Sequence, residues 1–207
     1  EGLIQAKPVI SDNKIIFGCW DKYLYCVDRN DGSVIWKWTN GSPQKLYSPG
    51  NVVPAVSNGK VFIVAPDRKM TAISLTDGKE LWRTNLHTVR ESMCLSRDGE
   101  RVYAKTMNDV LICVSTVSDD YQVLWTADCK YGYEHTPCPP VESKNGLVFL
   151  SNRRGQVFAV EGKTGAVKWS FDAGNSAANK IVEGPDGRVW ITLIEGRILS
   201  IEPMEIL

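Results

Sequence analysis

Short runs of apolar and β-branched residues alternate with turn residues along the whole chain. The second of the repeating segments shows this best. Its runs are 52–57, 61–65, 70–74 and 80–84, separated by Asn58-Gly59, Asp67-Arg68-Lys69 and Asp77-Gly78. Runs of this length between Gly, Asn and Asp predict antiparallel strands joined by tight turns. No segment shows the period of about 3.6 residues that is typical of a helix. The pattern therefore predicts an all-β protein.

Four tryptophans recur at almost equal intervals, and similar segments precede them. They are Trp36, Trp82, Trp125 and Trp169, with spacings of 46, 43 and 44 residues. In 26–36, 72–82 and 159–169 a small residue and then an Asp-Gly or Thr-Gly turn come before the tryptophan, and the copy at 113–125 is two residues longer. Four short strands repeated at about 40 to 45 residues are typical of a β-propeller blade.

The repeats divide the chain into about five four-stranded antiparallel blades, four complete and one partial. Their approximate bounds are 6–40, 50–86, 90–128, 137–173 and 178–207, in a single propeller domain or fragment over 1–207. The five residues before position 6 are too few, at about 3.3 Å each, for an outer strand and its crossing to the axis. We therefore expect the C-terminal part of a longer propeller rather than a closed five-bladed ring. Open blade faces would then favour self-association.

Composition and charge exclude several classes of function. Lys and Arg number 24 and Asp and Glu also number 24, so the chain lacks the basic excess of a nucleic-acid-binding protein. Its apolar runs are shorter than the roughly 20 residues of a membrane span, and no signal peptide is recognisable in it. With only His87 and His135, little is left for a histidine metal site or a catalytic triad. We expect no metal, no cofactor and no catalytic residue.

The six cysteines do not follow a zinc-binding spacing, and four of them lie in apolar runs. Cys129 and Cys138 flank the loop 130–137, and a disulfide forms between them only if this loop folds back. The sequence leaves that disulfide open.

The segments that end in the four tryptophans resemble the docking motif of pyrroloquinoline-quinone-type propeller repeats. The motif reads Ala-x-Asp-x-x-Thr-Gly-x-x-x-Trp. Segments 26–36, 72–82 and 159–169 match it, and 113–125 matches it loosely. The chain thus resembles the BamB-like β-propeller proteins over essentially its whole length. The resemblance implies seven or eight blades in the complete ring and a packing role for each of the four tryptophans. It also implies an exported protein in the periplasm or at the cell surface.

Three further segments, 62–68, 89–92 and 131–135, are similar to propellers of exported Bacteroidetes-type proteins. In some of those proteins the propeller follows a calcineurin-like phosphoesterase domain. This second resemblance implies an alternative role as the accessory domain of a larger hydrolase.

Polar side chains in the loops of the blades are candidates for binding a partner or a ligand. Loops that enter the inner strands converge on the axis of a propeller and often carry its function. The candidates are Tyr47, Arg90, Glu91, Tyr133, Glu134 and His135 in these loops, with Arg68 and Arg153 in hairpin turns. Such a cluster would bind a polar ligand through charge-assisted hydrogen bonds. In the alternative interpretation the same residues pair with each other and close the loops.

The sequence leaves three functions open. We expect a non-catalytic module for binding or scaffolding, whose partner is a protein or an unidentified polar ligand. The first alternative is the accessory hydrolase domain. The second is a fragment of a quinoprotein dehydrogenase, for which the resemblance implies an adjacent pair of cysteines beside the quinone. That pair is absent from this sequence.

Overall fold

The structure, a computed structural model of the 207-residue chain, describes residues 2–202. These residues form two compact units. The first unit comprises 2–91 and 116–121, and the second comprises 92–115 and 122–202. Glu1 and 203–207 lie outside the described residues, and so does the end of the predicted fifth blade, 178–207.

The first unit contains two four-stranded antiparallel sheets. The strands of the first sheet are β1 (Val9–Ser11), β2 (Lys14–Gly18), β3 (Leu24–Asp28) and β4 (Val34–Trp38). Those of the second sheet are β5 (Ala55–Ser57), β6 (Lys60–Val64), β7 (Met70–Ser74) and β8 (Glu80–Thr84). Two 3₁₀ turns, Lys45–Tyr47 and Pro49–Asn51, lie between these sheets along the chain.

Three more antiparallel sheets follow along the chain. The third consists of β9 (Val89–Leu95), β10 (Arg101–Thr106), β11 (Asn108–Ser115) and β12 (Val123–Tyr133). The fourth consists of β13 (Val141–Glu142), β14 (Leu147–Ser151), β15 (Gln156–Glu161) and β16 (Val167–Asp172). The fifth has three strands, β17 (Ala178–Glu183), β18 (Val189–Leu193) and β19 (Ile198–Ile201). The prediction of an all-β chain with four complete blades and one partial blade is confirmed.

The docking tryptophans connect successive sheets inside each unit. In the first unit the indole of Trp36, on β4, donates a hydrogen bond of 3.0 Å to the carbonyl of Leu75, which follows β7 of the next sheet. In the second unit Trp125, on β12, donates one of 3.1 Å to the carbonyl of Gly162, after β15. Each tryptophan therefore satisfies a carbonyl at the end of its neighbour's third strand while its ring covers the junction.

The glycine of the Asp-Gly turn is required by both its conformation and its neighbour. Gly78 has a φ of +73°, and a Cβ added to it would lie 2.8 Å from the ring of Trp36. Gly165 stands in the same relation to Trp125, where the added Cβ would lie 2.6 Å from the ring. The glycine of each of these turns thus packs against the tryptophan of the preceding sheet.

Trp82 docks differently from these two. Its ring lies 5.0 Å from that of Tyr121, in the longer third copy, and its indole nitrogen is buried without a hydrogen-bond partner among the described residues. Here Lys60 reaches the carbonyls of Thr116 and Val117, at 3.1 Å each. In this longer copy Lys60, and not the tryptophan, donates the hydrogen bonds to the carbonyls at the end of the third strand.

The core of each unit is formed by the inward faces of its strands. In the first unit it includes Ile16, Leu24, Val61 and Ile73, and in the second unit the aromatic rings of Tyr103, Phe149 and Phe158 are buried among aliphatic side chains. All six cysteines are free thiols, so the bridge that the sequence left open between Cys129 and Cys138 is not formed. No helix within 2–202 has the length and apolar character that crossing a membrane requires.

Candidate functional site

Four of the eight candidate residues meet in one cavity of the first unit. Tyr47, Arg68, Arg90 and Glu91 line it together with Leu46 and Pro66, and its volume is about 240 Å³. Two loops contribute to it, the 3₁₀ turn Lys45–Tyr47 and the turn between β6 and β7, together with the start of the strand β9. Arg90 and Glu91 therefore lie in a strand and not in a loop as predicted. We call this the arginine cavity. Its wall therefore carries two guanidinium groups, one carboxylate and one phenol.

The charges of the arginine cavity do not balance. The Nε of Arg90 lies 3.8 Å from the nearer carboxylate oxygen of Glu91, which is beyond hydrogen-bond length. The side chain of Arg90 is 43% exposed and that of Glu91 is 11% exposed. Arg68 is exposed, and no ion pair within the described part of the chain involves it. One positive charge is thus left without a counter-charge.

A hydrogen-bond network fixes the two loops beside the cavity. The side chain of Asn40 donates to the carbonyl of Tyr47 at 2.8 Å and to the carboxylate of Asp67 at 3.2 Å. Arg83 forms an ion pair with Asp67 and donates to the carbonyl of Asn40 at 3.1 Å. Asp67 is thus paired with Arg83 and Asn40, and not with its neighbour Arg68.

Two residues of the arginine cavity have a backbone conformation that is costly for a side chain. Arg68 has a φ of +64° and Glu91 a φ of +50°, both in the left-handed region. This conformation costs a residue with a Cβ about 1–2 kcal/mol. Five other residues with side chains within 2–202 share it, among them Lys22 in the equivalent turn between β2 and β3. At Arg68 the conformation therefore belongs to the type of turn.

The other four candidate residues belong to the second unit, where Glu134 is central. Glu134 is 1% exposed, and its carboxylate accepts hydrogen bonds from the backbone N–H and hydroxyl of Thr136 and from the backbone N–H of Arg153. It therefore ties its own loop to the turn between β14 and β15. These described contacts are all internal.

Lys105 is a buried cation that reaches Glu134 through the hydroxyl of Thr136, which accepts from Lys105 and donates to Glu134. Its side chain is 2% exposed and donates to the carbonyl of Ser151 at 2.9 Å and to the hydroxyl of Thr136 at 3.2 Å. Burial alone would raise the pKa of Glu134, but the charge of Lys105 and the hydrogen bonds from Thr136 and Arg153 hold it below its ordinary value. Burial lowers the pKa of Lys105, and Glu134 opposes that shift. We call Glu134, Lys105 and Thr136 the buried carboxylate cluster.

Tyr133, His135 and Arg153 surround this cluster with their side chains exposed. The rings of Tyr133 and His135 lie 6.0 Å apart, and Tyr133 is 51% exposed. Arg153 contributes its backbone N–H to Glu134, while its side chain is exposed. The structure thus brings these four residues together, as it does the four of the arginine cavity. Their role in binding stays a prediction.

Sequence reasoning missed the residues that hold both sites in place. Lys105 follows the buried run 102–104 in the strand β10, and a buried charge in such a run indicates buried compensating groups. Asn40 and Arg83 gave no comparable signal because their partners lie in distant loops. Within 2–202, no group of three or more His, Cys, Asp or Glu residues is arranged to hold a metal ion.

Comparison with protein families and solved structures identifies the family and the fold of the chain. The family model described as outer membrane protein assembly factor BamB matches residues 2–113 and 113–202. A solved structure, the WD40 β-propeller domain of Doa1, superposes on 92% of this chain and 61% of its own, with a TM-score of 0.67 and 16% identity. The β-propeller fold is thereby confirmed.

Curated relatives carry the same description. The outer membrane protein assembly factor BamB of Escherichia coli is 24% identical over 203 residues, covering 95% of this chain and 50% of the relative. That of Moranella endobia is 23% identical over 216 residues, covering 94% and 53%, and that of Salmonella typhimurium is 26% identical over 127 residues, covering 59% and 31%. The chain spans at most about half the length of these relatives. None of the relatives described here is a hydrolase or a quinoprotein dehydrogenase.

Proposed function

The chain belongs to the family of the outer membrane protein assembly factor BamB, and on this premise we propose that it is a non-catalytic β-propeller module that binds proteins during assembly of the outer membrane. The observation that supports the proposal is the family match, which extends over 2–202 and includes every described sheet. Since the named relatives are assembly factors, we place the module in the periplasm or at the cell surface. Its working part would be a surface that binds another protein.

The arginine cavity of the first unit supports a binding role. It opens beside Leu46, whose side chain is 69% exposed on the 3₁₀ turn Lys45–Tyr47. An exposed aliphatic side chain beside arginine and tyrosine resembles the composition of protein interfaces, in which Arg and Tyr are enriched. In the proposed complex, Leu46 packs against the partner and the arginines fix its orientation.

The test uses the complete natural protein in its own cell envelope. We would delete the gene, measure the abundance of outer membrane β-barrel proteins, and restore it with a protein carrying a photo-crosslinking residue in place of Leu46. We expect reduced abundance on deletion and crosslinks to a component of outer membrane assembly. A crosslinker in place of Lys163, an exposed residue in a turn of the second unit, is the matched control.

Two results would overturn the proposed function. One is an unchanged abundance of outer membrane proteins after deletion. The other is a set of crosslinks at position 46 that matches the set at position 163. The hydrolase and quinoprotein alternatives have no supporting observation in the structure or in the relatives named above.

A further inference from the structure

The size of the arginine cavity limits what it can hold. Its volume is about 240 Å³, whereas cavities that hold drug-sized ligands or cofactors usually have about 300 to 1,000 Å³. A small polar group, such as the end of one side chain, fits this space, and a nucleotide or a quinone does not. The occupant is therefore a single functional group of something larger or a small ion.

The charged side chains that line the arginine cavity indicate which charge its occupant carries. Arg68 and Arg90 carry two positive charges, and Glu91 carries one negative charge that is largely shielded from water. An anion with one charge completes this balance, because two guanidiniums then face two carboxylates. A dianion such as phosphate would leave a negative excess beside Glu91. The balance favours a carboxylate, to which arginine also presents a matching planar pair of donors.

The surroundings of the cavity indicate that this carboxylate belongs to a polypeptide. Leu46, on its rim, is 69% exposed, and an isolated carboxylate ion would make no use of it. An acidic side chain next to an apolar residue would fill the cavity and cover Leu46 at the same time. From the size, the charge and the rim, we infer that the arginine cavity binds an Asp or Glu side chain of a partner protein. This inference rests on the proposed function and identifies the chemistry of the partner.

The backbone around the cavity is prepared for such a ligand. Arg68 is held in a left-handed conformation, and the neighbouring Asp67 is occupied by Arg83 and Asn40. The guanidinium of Arg68 is therefore free to meet an incoming carboxylate without first losing an internal partner. Binding costs less when the groups that make the contact are already oriented.

In the test, the purified full chain is titrated with a small probe, and binding is monitored by NMR of the arginine Nε–H groups. The probe is N-acetylglutamate N-methylamide, and its neutral counterpart is N-acetylglutamine N-methylamide. We expect the glutamate probe alone to shift the resonances of Arg68 and Arg90 in the millimolar range. Arg90→Gln should weaken this binding about tenfold, the loss expected for one charge-assisted hydrogen bond.

Lys45→Gln is the matched control, because Lys45 is exposed on the same 3₁₀ turn but does not line the cavity. It should leave the affinity for the glutamate probe within about twofold of the wild type, since an exposed charge that does not contact the ligand contributes little. The inference is overturned if the glutamine probe binds equally well, if inorganic phosphate binds more tightly, or if neither resonance moves. It is also overturned if Lys45→Gln weakens binding as much as Arg90→Gln does.

The two proposals fail separately. If the glutamate probe does not bind but the crosslinker at position 46 still captures a component of outer membrane assembly, the proposed function stands and the carboxylate site is wrong. If the probe binds as expected but deletion leaves outer membrane proteins unchanged, the cavity binds carboxylates in a protein of another function.

Discussion

Two loop sites of this chain contain the same types of residue, and they use them in opposite ways. In the second unit Glu134 is 1% exposed and all its described partners are internal, with Lys105 as buried counter-charge. In the first unit Glu91 lines an open cavity together with two arginines, and its contact with Arg90 is 3.8 Å long. The buried carboxylate cluster is electrically complete, and the arginine cavity is not.

The difference shows how to separate a structural cluster from a binding site. A buried charge is stable only when a counter-charge and hydrogen bonds compensate for its lost hydration. An exposed pair receives much of that compensation from water, so it can remain incomplete until a ligand arrives. Residue type does not distinguish the two cases, whereas burial and the number of internal partners do.

The largest expected effect is on stability, from removing the carboxylate of Glu134. Glu134→Ala leaves Lys105 buried without its counter-charge, and the N–H groups of Thr136 and Arg153 lose their acceptor. Breaking a buried pair in this way costs about 3–5 kcal/mol. The loss in free energy of unfolding is measured by urea denaturation, which is monitored by far-ultraviolet circular dichroism.

Glu91→Ala is the control in the arginine cavity, and it should cost less than about 1 kcal/mol because the contact with Arg90 is long and partly exposed. Equal losses in both variants would show that the two sites do not differ in the way described.

The next effect is the coupling between the cation and the carboxylate of each site, measured by a double-mutant cycle. For Lys105→Met and Glu134→Gln we expect a coupling energy of about 2 kcal/mol, since each single change leaves one buried charge without its opposite and the double change removes both charges. For Arg90→Met and Glu91→Gln we expect less than about 0.5 kcal/mol. A larger coupling in the second pair would mean that Arg90 is already satisfied and is not available to a ligand.

Much of the fold is predictable from the sequence because its signals are local and repeated. Strand and turn residues alternate within each copy, and the spacing of Trp36 from the preceding glycine recurs along the chain. The junction at Trp82 was not predictable. Its indole N–H has no hydrogen-bond partner within 2–202, and Lys60 donates to the carbonyls of Thr116 and Val117 in the longer copy of the repeat.

The sequence yields candidate residues for a site, but it does not yield their arrangement. The sequence placed Arg68 and Arg90 in loops that carry polar side chains, and it left open whether such residues pair with each other or bind a ligand. Burial decides this for Glu134, and burial depends on Lys105, which lies about thirty residues away along the chain in the strand β10. A single sequence does not show which distant cation meets which carboxylate.

A smaller effect is expected on the dependence of stability on pH. The pKa of Glu134 lies below its ordinary value of 4.5 in the folded chain, since the charge of Lys105 and its hydrogen bonds outweigh the effect of burial. Its contribution to stability is therefore present above pH 4.5 and is lost as the pH falls through the lowered value. Glu134→Gln should remove this part of the acid dependence, as measured by urea midpoints between pH 7 and pH 3. An unchanged acid dependence in that variant would show that Glu134 is not ionised in its cluster.

The smallest expected effect has the opposite sign, and it tests whether strain is kept in the arginine cavity for binding. Arg68→Gly relieves about 1–2 kcal/mol of left-handed strain and costs about 0.5–1 kcal/mol of chain entropy, so the variant should be more stable by about 0.5 kcal/mol. It should also lose affinity for the glutamate probe.

Lys22→Gly is the matched control, because Lys22 has a φ of +85° in the equivalent turn between β2 and β3 and does not line the cavity. That variant should gain similar stability and bind the probe as the wild type does. If Arg68→Gly is instead destabilised, the arginine holds its own turn together, and the contrast between a closed structural cluster and an open binding cavity no longer applies to this residue.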